Sequence, residues 1–180
     1  MKRKILSAIT VGVLTVGAFG CLSGCGTEIS PEIFYPVQGT VMQVKDVKAV
    51  QSGNRRTNSF DAVIQSASGL QAFLEEYPDD AEAFGGYSVS ADESLFVMYR
   101  LRPFSDEHGY AIQSLQQKDA ELFVYVSYYG GTDTAMMPVL IIAKTERLNG
   151  ISSVDATFQG LSFETDEYRE NTVGTVRIYN

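Results

Sequence analysis

Leu95-Phe96-Val97-Met98-Tyr99-Arg100-Leu101-Arg102 carries a large side chain at every position, and Leu122-Phe123-Val124-Tyr125-Val126-Ser127-Tyr128-Tyr129 does nearly the same. In a strand, alternate side chains point to opposite faces. Leu95, Val97, Tyr99 and Leu101 therefore share one face, and Phe96, Met98, Arg100 and Arg102 the other. Bulk on both faces is the pattern of a strand central to a sheet, with a helix or a second sheet covering the far side. Similar reasoning predicts one or two strands over Val37 to Val50, and others over Phe60 to Gln65, Tyr110 to Leu115, Met137 to Lys144, Val154 to Phe158 and Thr172 to Tyr179. Pro138 fits an entry or edge position, where its missing donor is not needed.

One helix interrupts the strands. Leu70, Phe73, Leu74 and Tyr77 fall at i, i+3, i+4 and i+7, with Ser68 and Gln71 placed as a capping box and Pro78 as the stop. Asp79, Asp80 and Glu82 then read as a solvated loop. No helix-length crossover separates the strands after residue 92, which favours antiparallel meander connections over a Rossmann or barrel enzyme core. The expected fold is mainly β (α+β): an antiparallel sheet or sandwich of about eight strands with one amphipathic helix, a single domain over residues 37–180.

The composition is that of a globular chain, with 180 residues, 44% hydrophobic and 20% charged. The net charge of −8 argues against nucleic acid as a partner, because phosphate binding needs a basic surface.

The first residues read differently from the rest. Lys2, Arg3 and Lys4 precede the uncharged stretch Ile5 to Gly20, the layout of a secretory signal. Sixteen residues rising about 1.5 Å each reach roughly 24 Å, short of a hydrocarbon core of about 30 Å, so a permanent span is the poorer reading. Leu22-Ser23-Gly24-Cys25 follows, and it resembles the lipobox of bacterial lipoproteins. That resemblance implies cleavage before Cys25, with a diacylglyceryl thioether on its sulfur and an N-acyl chain. The protein would then be anchored by lipid to the cell membrane on its extracytoplasmic face. Cys21 competes as the modified residue, but Phe19 stands near it where the motif wants a small side chain. An ordinary secretory signal with two incidental cysteines is the other alternative. Residues 1–24 are then a signal peptide, and residues 25–36 a lipidated N-terminus and tether. The mature chain has no cysteine beyond Cys25, hence no disulfide, and carries eleven basic residues against 22 acidic ones, a net charge of −11. Two acyl chains anchor stably where one is marginal.

Catalytic chemistry finds little to use. His108 is the single histidine, set in the polar turn Pro103 to Gly109, and any Ser-His-Asp or Cys-His arrangement would need it. A zinc site would have to be almost all carboxylate. Asp92-Glu93, Asp106-Glu107 and Asp166-Glu167 offer carboxylate pairs, but adjacency in sequence does not set the separation that glycoside hydrolysis demands. Gly85-Gly86 and Gly130-Gly131 lack the flanking Lys and Ser/Thr of a phosphate loop. No cofactor, metal ligand set or catalytic residue is assigned.

Tyr128-Tyr129-Gly130-Gly131 ends one strand, and the segment starting at Arg100 would lie beside it if those strands pair. Tyr and Arg are enriched in protein-protein hot spots, so Tyr128, Tyr129, Arg100 and Arg102 form the candidate protein-binding surface. Packing of the tyrosines at a sheet edge is the alternative.

The helix at Leu70 to Tyr77, the strand Leu95 to Leu101, Gly109-Tyr110, the strand Leu122 to Tyr128 and Met137-Pro138-Val139-Leu140-Ile141 succeed one another in an order that resembles the PrcB family of envelope lipoproteins over residues 60–146. The resemblance implies a non-catalytic subunit associated with a secreted protease complex. Where that family tends to have a Gly-rich turn, this chain has Ser105-Asp106-Glu107-His108, and no functional residue is carried over. The expected function is a lipid-anchored, non-catalytic binding or accessory module with an envelope protein partner. A small carboxylate-dependent envelope hydrolase using Asp106 and Glu107, or a structural or stress lipoprotein without a defined ligand, are the alternatives.

Overall fold

The structure, a computed structural model, describes residues 35–53, 58–103, 109–129, 136–161 and 168–180. They form nine strands: β1 (Thr40–Val41), β2 (Val44–Gln51), β3 (Phe60–Ile64), β4 (Glu93–Pro103), β5 (Gly109–Lys118), β6 (Glu121–Tyr129), β7 (Met136–Glu146), β8 (Ser153–Leu161) and β9 (Tyr168–Tyr179). Helix α1 (Ala67–Glu76) and a 3₁₀ helix (Pro78–Phe84) separate β3 from β4.

All nine strands join one sheet in the order β1-β5-β6-β8-β9-β3-β4-β7-β2. The mainly β expectation holds, but the sheet is mixed rather than antiparallel, has nine strands rather than about eight, and is accompanied by two helices rather than one. β6 runs parallel to β8 and β3 parallel to β9. Sequence neighbours pair only in the β3–β4, β5–β6 and β8–β9 couples, so the meander is interrupted. β7 leaves β6 and inserts between β4 and β2, a choice that local pattern does not encode.

The sheet curls until its two ends approach. Thr40 and Val41 pair with β5, and three residues later the same chain pairs with β7. At this corner the Met42 amide donates to the Leu115 carbonyl at 2.8 Å, and the Glu146 amide to the Gln43 carbonyl at 3.1 Å. Register slips at Lys45 in β2 and Gln113 in β5 place a bulge on each strand flanking the seam, and bulges add the local twist that a tight curl needs.

Two cores result. Val63, Phe96, Met98, Leu122, Val124, Val126, Ile141, Val154, Ala156 and Phe158 fill the inside of the curl. Ala62, Ile64, Leu95, Val97, Tyr99, Leu140 and Ile142 face outward and meet Phe73, Tyr77 and Phe84 from the helices. This double burial explains why β4 and β7 carry bulk on both faces. Phe73 is fully buried, a burial contributing about 1.5–3 kcal/mol.

α1 starts two residues earlier than the sequence pattern suggests. Ser66, not Ser68, is the N-cap, its Oγ accepting from the Gly69 amide at 2.9 Å. The helix is fastened to β9, where Arg177 donates to Glu76 Oε1 and the Tyr77 hydroxyl, both at 2.8 Å, and the Tyr179 hydroxyl donates to Glu76 Oε2 at 2.7 Å. Asp80, expected in water, is 2% exposed. Its Oδ1 accepts from Ser52 Oγ at 2.7 Å and the Gly53 amide at 3.0 Å, tying the 3₁₀ helix to the end of β2. Tyr35 and Pro36, assigned to the tether, lie on the sheet instead: the Tyr35 ring is 5.0 Å from that of Tyr125, and Gln116 Nε2 donates to the Pro36 carbonyl at 3.3 Å.

Candidate functional site

The antiparallel pairings set the C-terminal ends of β4, β6 and β8 at the same end of the curled sheet as the N-terminal ends of β3, β5 and β9. The inward positions at this end are not all apolar. They are Asp61 on β3, Arg100 and Arg102 on β4, Tyr110 on β5, Tyr128 on β6 and Phe158 on β8. β4 and β6 do not pair, contrary to the condition set on the sequence. The curl nevertheless carries Arg102 across the interior to the same mouth as Tyr128.

Arg102 is 8% exposed, with its guanidinium carbon 4.1 Å from the centre of the Phe158 ring. A cation over an aromatic face is held by the ring quadrupole, by about 2 kcal/mol when desolvated. The Tyr110 and Tyr128 rings stand 5.1 Å apart at 33°. Burial pushes the Tyr110 hydroxyl well above its ordinary value, the neighbouring Tyr128 adds to this, and the positive charge of Arg102 opposes it. The Tyr110 phenol thus keeps its proton near neutrality. Gly160, beside them on β8, is required by packing, since a Cβ there would come within 2.6 Å of Tyr128 Cδ1.

Arg100 is not part of any displayed surface. At 4% exposure it turns inward and pairs with Asp61, and its Nη1 donates to the Phe60 carbonyl at 3.0 Å and the Tyr99 carbonyl at 2.9 Å. Its place in the binding surface is corrected for that reason, and Arg102 presents an edge at most. Burial raises the Asp61 carboxyl above its usual range, with Arg100 pulling it back. Tyr128 is half-buried at the rim, and Tyr129 ends β6 beside it, paired with Leu161 and Gly109. The outer face of this end exposes Leu101 (38%) and Met136 (56%), close to one another where β4 meets β7.

Asp61, Tyr110, Phe158 and Gly160 are members that reasoning from sequence missed. A signal existed for Asp61, the one charge in Phe60-Asp61-Ala62-Val63-Ile64 and opposite the strand bearing Arg100. For the others none did, because they converge through pairing between distant strands.

Of the three carboxylate pairs, Asp92-Glu93 is described. Glu93 Oε1 takes Lys45 at 2.9 Å, its Oε2 takes Lys144 at 2.9 Å, and Ser90 Oγ donates to it at 2.6 Å. The hydrogen bond from Lys45, then those from Ser90 and Lys144, lower its carboxyl to about 2. That is the opposite of what a general acid needs. Asp106, Glu107, His108, Asp166, Glu167, Gly130, Gly131, Cys21, Leu22, Ser23, Gly24 and Cys25 lie outside the described residues. Among the described residues no three His, Cys, Asp or Glu side chains gather to hold a metal ion, and no helix is long and apolar enough to cross a membrane. A cleft of about 530 Å³ opens at the seam, between Met42, Val44, Lys45 and Asp46 on one side and Ile112 and Leu115 on the other.

Comparison with protein-family models, curated proteins and solved structures finds no match for this chain.

Proposed function

We propose that the chain is a lipid-anchored, extracytoplasmic accessory module of a bacterial envelope, non-catalytic, that engages an envelope protein through the mouth of its curled sheet. The anchor rests on Leu22-Ser23-Gly24-Cys25 behind the apolar stretch Ile5 to Gly20. The observation that carries the binding surface is the half-buried Tyr128 at the rim, backed by the buried Tyr110, Arg102 and Phe158 that converge behind it from three other strands. A tyrosine held at a rim in this way offers contact area with a polar tip. Exposed Leu101 and Met136 extend the same end with apolar surface. The order of elements shared with the PrcB family makes a protease complex the first partner to seek.

Crosslinking in intact cells, followed by affinity isolation of the solubilised lipoprotein, tests the reading. One stoichiometric protein partner is expected. Its absence would favour the structural lipoprotein, and hydrolysis of envelope polymer that is lost with Asp106→Asn and Glu107→Gln would favour the hydrolase. Intact-mass measurement of the membrane fraction checks the anchor, and an unmodified Cys25 would overturn it.

A further inference from the structure

The connection from β7 to β8 runs from Arg147 to Ser152 and has Leu148-Asn149-Gly150-Ile151 at its centre. Leu148 is fully buried and Ile151 is 5% exposed; both belong to the inner core, so the two residues between them form an exposed tip held from either side. Gly150 has φ +65°, the left-handed conformation, and a Cβ built on it would meet nothing within 4 Å. Its amide donates to no group among the described residues, and the Asn149 side-chain amide is likewise without a partner there. The Asn149 carbonyl is engaged, accepting from Gln117 Nε2 at 2.6 Å; that same nitrogen donates to the Asp119 carbonyl at 3.0 Å in the β5–β6 turn.

We infer that Asn149 is a site of spontaneous self-modification, in which the Gly150 backbone nitrogen attacks the Asn149 side-chain amide. Asparagine is among the chemically labile residues, and a following glycine leaves the attacking nitrogen unhindered. The Gly150 N to Asn149 Cγ bond forms and the Cγ to Nδ2 bond breaks. The amide proton of Gly150 passes to water, and Nδ2 departs as ammonia. Water then opens the resulting five-membered imide at one carbonyl or the other, giving an aspartyl or an isoaspartyl residue at position 149. No oxidant or other co-reactant is required. Either product adds a carboxylate to the end of the sheet that already carries Asp119 and Glu121. The isoaspartyl form also lengthens the backbone by one methylene and displaces the carbonyl that Gln117 holds.

The full-length protein, incubated folded at mildly alkaline pH and mapped by mass spectrometry with isoaspartyl detection, decides the matter. The peptide beginning at Leu148 is expected to convert an order of magnitude faster than that containing Asn171, with isoaspartate present, and Asn149→Gln should abolish the signal while leaving the fold intact. Retention of the amide at position 149 for as long as at Asn171, or conversion only after unfolding in urea, would overturn the inference. The outcome does not depend on the anchor or on any partner.

Discussion

A single nitrogen of Arg100, Nη2, donates to both carboxylate oxygens of Asp61, at 2.8 and 2.9 Å, inside the curl of the sheet. The two side chains are 5% and 3% exposed, so neither charge has water as an alternative partner. Removing one partner from such a pair strands the other. Arg100→Met is expected to cost about 3–5 kcal/mol in chemical denaturation, and adding Asp61→Asn to recover much of it. The sign of the pH effect follows from burial, which raises the Asp61 carboxyl in the folded state. The folded protein then binds that proton more tightly than the unfolded chain, so this group's contribution to stability falls as pH rises through the acid range. Without Arg100 to pull it back, the Asp61 carboxyl rises further in Arg100→Met, so the deficit should shrink on acidification, and a deficit constant with pH would contradict it.

Glu93 works in the other direction. Its carboxyl is lowered from an ordinary 4.5 to about 2 by Lys45, Ser90 and Lys144. The unfolded state takes up the proton first as pH falls, so the stability the group supplies is complete above 4.5 and is lost as pH drops toward 2. In Glu93→Gln the acid limb of a stability-against-pH curve should be flatter across that window. An unchanged limb would mean the three partners hold Glu93 only weakly in solution.

Gly69→Ala reverses the usual expectation for a helix. Alanine in place of glycine ordinarily helps a helix by about 1 kcal/mol, yet a Cβ at Gly69 would collide with the Tyr179 carbonyl on β9. Backbone cannot swing away as a flexible side chain can. A net loss of about 1–3 kcal/mol is expected from overpacking, read as a lower midpoint of urea denaturation at constant slope.

Tyr128→Ala with Tyr129→Ala should reduce capture of the envelope partner, while Val173→Ala, an exposed site on β9, should not. Equal capture by both variants would remove the mouth from the binding surface.

The strands were legible because bulk alternates in Leu95 to Arg102 and Leu122 to Tyr129, and α1 because Leu70, Phe73 and Tyr77 repeat at helical spacing. The sheet order was not. β7 beside β4 and β9 beside β3 are choices among strands of similar pattern, settled by burial over the whole domain. Asp80 was misplaced because its partners, Ser52 and Gly53, lie in another part of the chain, and nothing in Pro78-Asp79-Asp80 announces them. The same blindness applies to Arg100. An arginine at the end of an apolar strand reads as a surface charge until Asp61 is found at the matching depth of β3. Tyr128 was singled out correctly as lying at a strand end, but the residues around it were not recoverable from their neighbours in sequence.

β9 fills the gap between β8 and β3, and it follows every other strand of the sheet in sequence. Asp61 waits for Val176, and Gly69 for Tyr179, across more than a hundred intervening residues. A chain emerging from its N-terminus has no strand to join β8 to β3 until Tyr168–Tyr179 are out. Such distant pairing slows folding and keeps the growing chain open. The sheet therefore closes only once β9 is in place, and without that strand β8 and β3 are each left with an open edge.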